Sequence, residues 1–584
     1  MAVENLITEH IDIWTSAVKT KSTSGRGSSK KLELYGVKKL RELILELAVR
    51  GKLVPQDPND EPASMHLKRI AEVKSELISN KAIRKAKVAK QSDMPPANFE
   101  TPKGWSAPIL ENLVINSSDN IVDGPFGSKL KATEYVDSGV PIIRIQNVDR
   151  NQFKNNGLQY LTVQKAEELH RHSFVSGDIV INKLGEPTGK ACIVPKQLEY
   201  GIVVADIVRI RLDSEIVNEH YLTLAINSPF VANQFSGLAK GVTRQRVNLS
   251  QIRSLTIPVP PLKEQERINE RVNKLMLLCD QLEQQTESSI EAHQVLVTTL
   301  LDTLTKSADA GELMQNWARI SEHFDTLFTT EESIDQLKQT ILQLAVMGKL
   351  VPQDPSDEPA TELLKRIAEE KAQLVKEKKI KKQKALPPIS DDEKPFELPT
   401  GWKWCRLGEV INLVSGQHLK PSEYTENSEA NSVPYITGPA EFGSIYPTYS
   451  KYTLEKRALA QAGHILITCK GAGLGKLNRA KQTMAISRQL MAIEPVFLDS
   501  DFLYNVLDCQ YNYFQSKGVG IAIPGISRDD VTHMGVSLPP LNEQKRILVK
   551  LSELMNVCDL LKSRLIKSKN LQLHLTDAIV SRTV

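Results

Sequence analysis

One phrase of seventeen residues occurs twice in this chain. Residues 47–63 read LAVRGKLVPQDPNDEPA and residues 344–360 read LAVMGKLVPQDPSDEPA, with fifteen positions identical at an offset of 297. A long internal repeat of this kind fixes the architecture before any single residue is considered, because the chain must fold as two copies of one unit. The 584 residues are too many for a single core, so each copy must itself contain more than one structural part.

The repeat extends beyond the phrase. FETPKGW (99–105) matches FELPTGW (396–402), still at offset 297, whereas IPVPPLKEQERI (257–268) matches VSLPPLNEQKRI (536–547) at offset 279. The intervening region is therefore shorter by 297 − 279 = 18 residues in the second copy. Around each copy of the phrase the pattern is helical. Val37, Leu40, Ile44 and Leu47 line one face, as do Ile334, Leu337, Ile341 and Leu344. Ser333 and Gln336 are spaced for a capping box. Gly51 and Gly348 suit helix C-termini, and the prolines that follow prevent continuation. A second helix is expected from Ala63 and another over 364–384, each ending in a basic run (81–90 and 376–384). These runs read either as solvated helix faces or as phosphate contacts. Residues 21–31, rich in Ser, Gly and Lys, read as a loop or flexible arm.

Residues 106–257 and 403–538 differ in character from the helices. Runs such as VPIIRIQNV (140–148), GIVVADIVRIRL (201–212) and HILITCK (464–470) are strand-like. GDIVINKLGEPTGK (177–190) aligns without gaps with GHILITCKGAGLGK (463–476), sharing Gly177/Gly463, Gly185/Gly471, Gly189/Gly475 and Lys190/Lys476. The two regions are thus expected to share a fold while their other loops differ. After each, a heptad pattern (Ile268, Val272, Leu275, Cys279, Leu282; and Ile547, Leu551, Leu554, Cys558, Leu561, Leu565) predicts a long helix packed lengthwise on another. The expected fold is α+β: two mixed α/β heads joined by long antiparallel coiled-coil-like helices, with a pseudo-twofold repeat. The expected divisions are 1–105, 106–262, 263–402, 403–541 and 542–584. Packing of the two termini on one another would close the repeat.

Composition narrows the function. The net charge of +4 leaves a polyanionic partner to be decided by local charge. Six scattered cysteines without a CxxC pair argue against zinc and disulfides and for a reducing, cytoplasmic setting. No run of signal-peptide length opens the chain, and no stretch approaches 18 apolar residues. There is no GxxxxGK[ST], HExxH, GxSxG or [DN]PP[FYW]. GAGLGK (471–476) has the wrong spacing for a phosphate loop and precedes a poor helix, so it reads as a tight turn, or as a loop whose backbone and Lys476 approach a phosphate. No catalytic or metal site emerges.

Polar clusters suited to base edges lie in both heads. Arg and Lys suit guanine, Asn and Gln adenine. The candidates in head one are Lys129, Lys131, Arg144, Gln146, Asn147, Lys183, Lys190, Thr243, Arg244, Gln245 and Arg246; in head two they are Gln417, Lys420, Lys470, Lys476 and Arg488.

The set LAVRGKLVPQDP/LAVMGKLVPQDP, PKGW/PTGW and PPLKEQERI/PPLNEQKRI resembles the specificity subunit of type I restriction-modification systems, in the branch with a long N-terminal conserved region. The resemblance implies two target recognition domains, each reading half of a bipartite, asymmetric double-stranded DNA site. It implies that the helical repeats set the half-site spacing and dock two methyltransferase subunits, and that restriction/translocase subunits join the complex. S-adenosylmethionine, ATP and Mg would then sit on those partners and none on this chain, which would be non-catalytic. Competing readings are an autonomous DNA methyltransferase or nuclease, against which the missing motifs argue, and a coiled-coil scaffold that does not bind DNA.

Overall fold

The structure is a computed structural model and describes residues 3–21, 31–84, 100–213, 215–239, 245–308, 310–471, 473–519 and 524–584. It divides into two compact units. Unit 1 comprises residues 1–289 and 568–584, and unit 2 comprises residues 290–567. Six helices carry the repeated frame: α1 (Tyr35–Val49), α2 (Ala63–Ser79), α3 (Leu262–Lys306), α4 (Glu331–Val346), α5 (Ala360–Lys376) and α6 (Leu541–Thr583).

The apolar stripes read from the sequence are buried, except that Leu282, Leu554, Leu561 and Leu565 are half-buried. Leu40, Ile44 and Leu47 of α1 and Ile334, Leu337, Ile341 and Leu344 of α4 are all at 3% exposure or less. Ile268, Val272, Leu275 and Cys279 of α3 are buried in unit 1. In unit 2, Leu551 and Cys558 of α6 join one core with the α4 stripe and with Val297, Leu301 and Leu304 of α3. Lys562–Asp335 (2.7 Å) and Lys338–Asp559 run along α4 and α6 in opposite directions, fixing an antiparallel pair. In unit 1, Arg41 of α1 bridges to Asp280 of α3 at 2.7 Å.

The expected meeting of the termini is present within unit 1. Tyr35 donates to Asp577 at 2.7 Å, and Lys52 Nζ caps the end of α6 through the Val584 carbonyl at 2.7 Å. The repeat of this contact lies within unit 2, where Lys349 Nζ donates to the carbonyls of Thr305 and Ser307 at the end of α3. A lysine at a helix C-terminus satisfies carbonyls that lack intrahelical partners and complements the helix dipole.

The repeated phrase forms a corner. After α1, Lys52 N–H donates to Leu47 C=O, and after α4, Lys349 N–H donates to Leu344 C=O; Gly51 (φ +66°) and Gly348 (φ +72°) adopt the left-handed conformation of this cap. A side chain at either glycine would also collide with proline: a Cβ would lie 2.7 Å from Pro102 Cγ or 2.6 Å from Pro399 Cγ. The chain then turns into α2 or α5, tied by Ala63 N–H to Gly104 C=O and Ala360 N–H to Gly401 C=O, both 2.9 Å. Three motifs distant in sequence meet here. Trp105 donates its indole N–H to Glu264, and Trp402 to Glu543, each at 3.0 Å. Arg267 pairs with Asp60 at 2.6 Å and Arg546 with Asp357 at 2.7 Å. Gln265 and Gln544 accept from the Asn218 and Asp499 amides that begin the next helix of each head. The repeated residues are repeated because each completes another's hydrogen bonds.

Two helical expectations are corrected. Among the described residues the basic runs lie beyond the helices except at Lys376: α2 ends at Ser79 and α5 at Lys376. Lys81 (φ +58°) and Lys378 (φ +59°) take the left-handed cap conformation that glycine usually supplies, with Ala82 N–H on Leu77 C=O and Lys379 N–H on Leu374 C=O. Continuing the helix would stack like charges at adjacent turns, which is unfavourable. Residues 85–90 of the first run lie outside the described residues. The capping box of α4 is Thr330 with Ser333, one turn earlier than Ser333 with Gln336, and Gln336 instead donates to Thr298. Of residues 21–31, expected as a loop or flexible arm, the ends belong to an antiparallel pair, Val18–Lys21 with Lys31–Leu34, and 22–30 lie outside the described residues.

The heads share one topology. In head one a sheet has the order Ile121–Asp123, Ile207–Ile210, Ile179–Asn182, Ala191–Ile193; in head two the order is Ile411–Ser415, Leu490–Pro495, Ile465–Thr468, Leu477–Arg479. The second sheets correspond as well: Gln159–Leu161, Val140–Ile143, Tyr200–Val203, Ser173–Val175 against Tyr452–Thr453, Val433–Ile436, Met484–Ile486, Leu459–Ala460. Each second sheet contains one parallel pair, at the same place. Fully buried strands such as Ile179–Asn182 and Ile465–Thr468 explain the apolar runs without alternation. The Gly-rich segments are hairpin connections between antiparallel strands, which settles GAGLGK as a turn rather than a helix-opening phosphate loop. Gly189 and Gly475, both at positive φ, lie against Phe235 and Phe514 of the packed helices.

Candidate nucleic-acid interface

At one edge of each head, a turn carries the chain from the second sheet into the first. The turns are equivalent hydrogen bond by hydrogen bond. Ile207 N–H donates to Val204 C=O and Leu490 N–H to Ser487 C=O, both at 2.9 Å. Gly124 N–H reaches Ile207 C=O, and Gly416 N–H reaches Leu490 C=O. Lys183 N–H donates to Asp206 C=O (2.8 Å) and Cys469 N–H to Gln489 C=O (2.7 Å). On the far side of Lys183 and Cys469, Val247 N–H and Ile526 N–H donate to their carbonyls at 3.0 Å. Leu184 thus bridges Arg246, and Lys470 bridges Gly525. Four loops converge on this junction in each head: the Gly124/Gly416 loop, the crossover turn, the Gly-rich hairpin and the loop ending at 246 or 525.

The candidates distribute unevenly over this surface. In head two, Gln417, Lys470, Lys476 and Arg488 are all exposed and lie on the converging loops. Gln417 N–H holds Ile486 C=O, and Cys469 lies between Lys470 and the Arg488 carbonyl. Lys420 is exposed on a separate short turn, whose Glu423 accepts from its amide. In head one, Gln245 and Arg246 are exposed at the junction, and Arg246 is paired with Asp206. Lys183 is at the junction but buried at 2%; its ammonium pairs with Asp123 at 2.7 Å and lies over the Phe126 ring. Burial pushes this lysine down, and Asp123 opposes that shift.

Arg144, Gln146 and Asn147 form a second cluster. Arg144 and Gln146 both donate to Gly157 C=O, at 2.8 and 3.1 Å. Asn147 is fully buried, and its amide is engaged by Lys154 C=O and the Arg144 N–H. Lys190 is half-buried and pairs with Asp149 at 2.9 Å. Burial works against the Asp149 charge, but Lys154 and Lys190 hold its carboxyl down at about 2. Lys131 is exposed on a short turn. Lys129 rims a basin of 330 Å³ also lined by Lys165, Arg171 and His172. Thr243 and Arg244 lie outside the described residues. Asn147 and Lys183 are therefore spent inside the fold, whereas the exposed cations and amides remain presented to solvent.

Sequence reading missed Asp206 and the 524–525 edge. The signal for the last was the constant offset: Arg246 and Gly525 stand 279 apart, as do the PPL motifs. The arrangement offers hydrogen-bond donors on loops tied to the ends of the central strands. Among the described residues, no helix is long and apolar enough to cross a membrane.

The family described as the type I restriction modification DNA specificity domain matches residues 126–292 and 399–568, which together exceed half the chain. The chain belongs to this family. It is similar along its whole length to two specificity subunits of Escherichia coli. It is 42% identical over 611 residues to that of type I restriction enzyme EcoAI, with all of both chains covered. It is 43% identical over 604 residues to that of EcoEI, with 99% of each covered. Among solved structures, the HsdS subunit from Thermoanaerobacter tengcongensis is similar at 20% identity and a TM-score of 0.40, over 84% of this chain and 99% of that one. The two matched spans fall on the two heads and the first parts of α3 and α6. As a type I specificity subunit, the chain is the DNA-recognition component of its system, and its two heads are the recognition domains.

Proposed function

We propose that each head reads one half of a bipartite, asymmetric double-stranded DNA site, that the helical frame sets the gap between half-sites, and that the frame docks two methyltransferase subunits. Restriction/translocase subunits complete the complex, which methylates adenine and cleaves DNA with ATP. S-adenosylmethionine, ATP and Mg belong to those subunits, this chain is non-catalytic, and the assembly works in the cytoplasm. The observation that carries the reading is the pairing of one head topology with two different sets of exposed loop residues on a repeated frame. Different bases require different donors and acceptors, whereas two copies of one partner require two copies of one surface.

The test is sequencing of methylated genomic DNA from a host expressing this chain with its methyltransferase. The expected result is one asymmetric motif in two parts with a fixed gap; a palindromic or ungapped motif overturns the reading. Inserting four residues near Leu282 adds about 6 Å of helix, against about 3.4 Å per base pair, so the gap should shift by about one or two base pairs. An unchanged gap removes the spacer role. Methyl transfer from labelled S-adenosylmethionine by the purified chain alone would favour an autonomous enzyme. No gel shift of duplex DNA by the assembled complex would favour a scaffold.

A further inference from the structure

The equivalence of the two junctions allows their side chains to be compared position by position. Matching the backbone hydrogen bonds pairs Ala205 with Arg488 on the crossover turn and Arg246 with Gly525 on the opposite strand. Each junction thus has one arginine at these two places, carried by opposite strands. In head two it stands on the turn, exposed, and the facing position is a glycine. In head one it stands on the facing strand, and the turn offers Ala205 and Asp206 instead.

Asp206 cancels this difference. Arg246 leans across Lys183 and pairs through one guanidinium nitrogen with the Asp206 carboxylate. Its charge is drawn toward the turn, the place where Arg488 carries its own. The side chain of Arg246 remains 50% exposed. A guanidinium has five N–H donors, so a single-nitrogen pair leaves donors for another acceptor while tethering one end of the group beside the turn. The two heads therefore bring a guanidinium to the same junction by different routes.

We propose that Arg246 and Arg488 each set one base pair of their half-site by donating to guanine O6 and N7, with Asp206 as the positioning residue for Arg246. This rests on the reading of the heads as recognition domains for the two halves of one site. A guanidinium matches those two acceptors with two parallel donors, and main-chain hydrogen bonds tie the junction to the ends of the two central strands of the sheet. Head two has no carboxylate at the position of Asp206, where Gln489 stands, and Arg488 stands on the turn itself.

The test uses the complete complex with its methyltransferase and reads the methylated motif by genomic sequencing. Arg488→Ala should make one G·C position of one half-site degenerate, with discrimination at that base pair falling about 10- to 100-fold, while the other half-site and the gap are unchanged. Arg246→Ala should do the same in the other half-site only. Asp206→Ala should weaken discrimination at the base pair affected by Arg246→Ala, which a merely structural role would not confine to one position. Arg488→Gln should move the preference at its position toward adenine. Unchanged motifs in the alanine variants, or a uniform loss of methylation at all sites by complexes that still assemble, overturn the assignment. With the wild-type complex, absence of a two-part motif removes the reading of the heads as half-site domains, whereas a two-part motif with unaffected variants removes only the arginines.

Discussion

Head one and head two have the same strand order but place different chemistry at the same backbone site. Where head one buries Lys183 against Asp123, head two has Cys469 and Ser415. Cys469 Sγ lies 3.6 Å from the Arg488 carbonyl, and Ser415 is reached by Arg528. Head one has an internal ion pair beneath its junction, and head two has small, weakly polar groups. The junction backbone is held by main-chain hydrogen bonds that both heads keep. The side chains above and below it are free to differ. A recognition module that must vary in specificity without refolding needs this separation.

The largest expected asymmetry follows from that pair. Asp123→Ala leaves a buried ammonium without its carboxylate and should destabilise head one by about 3–5 kcal/mol, measured by urea unfolding. Ser415→Ala removes only a weak, part-exposed hydrogen bond and should cost head two under about 1 kcal/mol. Equal losses would show that the ion pair is not what distinguishes the heads.

The two corners provide the opposite comparison, of like with like. Gly51→Ala and Gly348→Ala should each cost about 1–3 kcal/mol, since both combine positive φ with a proline contact. A markedly unequal pair would break the equivalence of the corners. A finer difference lies in their carboxylates. Glu264 is buried with one oxygen lacking a partner, and burial pushes its carboxyl up to about 6. Glu543 is also raised by burial, but Gln353 donates to its second oxygen at 3.3 Å. A carboxyl that binds its proton more tightly when folded stabilises the fold at low pH and loses that contribution as pH rises from the ordinary value near 4.5 to about 6. Corner one should therefore lose about 2 kcal/mol across that window, and Glu264→Gln should flatten it. Glu543→Gln should change the profile less, as followed by thermal melting against pH.

The smallest effects belong to the outlying cations. Lys131→Ala and Lys420→Ala should weaken DNA binding by the complex evenly across sequences and each reduce the slope of log K against log salt by about 1, leaving the motif intact. A change of motif would move those residues from phosphate contact to base reading.

Much of this architecture was legible because repetition is visible without coordinates. The stripes of α1 and α4, the glycine caps and the GDIVINKLGEPTGK/GHILITCKGAGLGK correspondence all rest on residues whose backbone demands are local. The helix ends at Lys81 and Lys378 were not legible, because a lysine in the left-handed region gives no compositional sign. Among the candidates, Lys183 and Asn147 could not be separated from Lys470 and Gln417. Whether a polar side chain faces solvent or a buried partner depends on Asp123 or the Lys154 carbonyl, which lie elsewhere in the chain.

That this protein is two copies of one frame carrying two unlike heads can be read from its residues alone. The information lies in identical residues at fixed offsets, and identical residues impose identical caps, turns and helix faces. What the repeated phrase does, and which loop residues meet, emerges from the packing. Trp105 finds Glu264 and Asp60 finds Arg267 across long separations in sequence, and Arg246 reaches the turn that Arg488 occupies in the other head. Those pairings are set by how strands and helices pack, and packing joins residues that no local pattern relates.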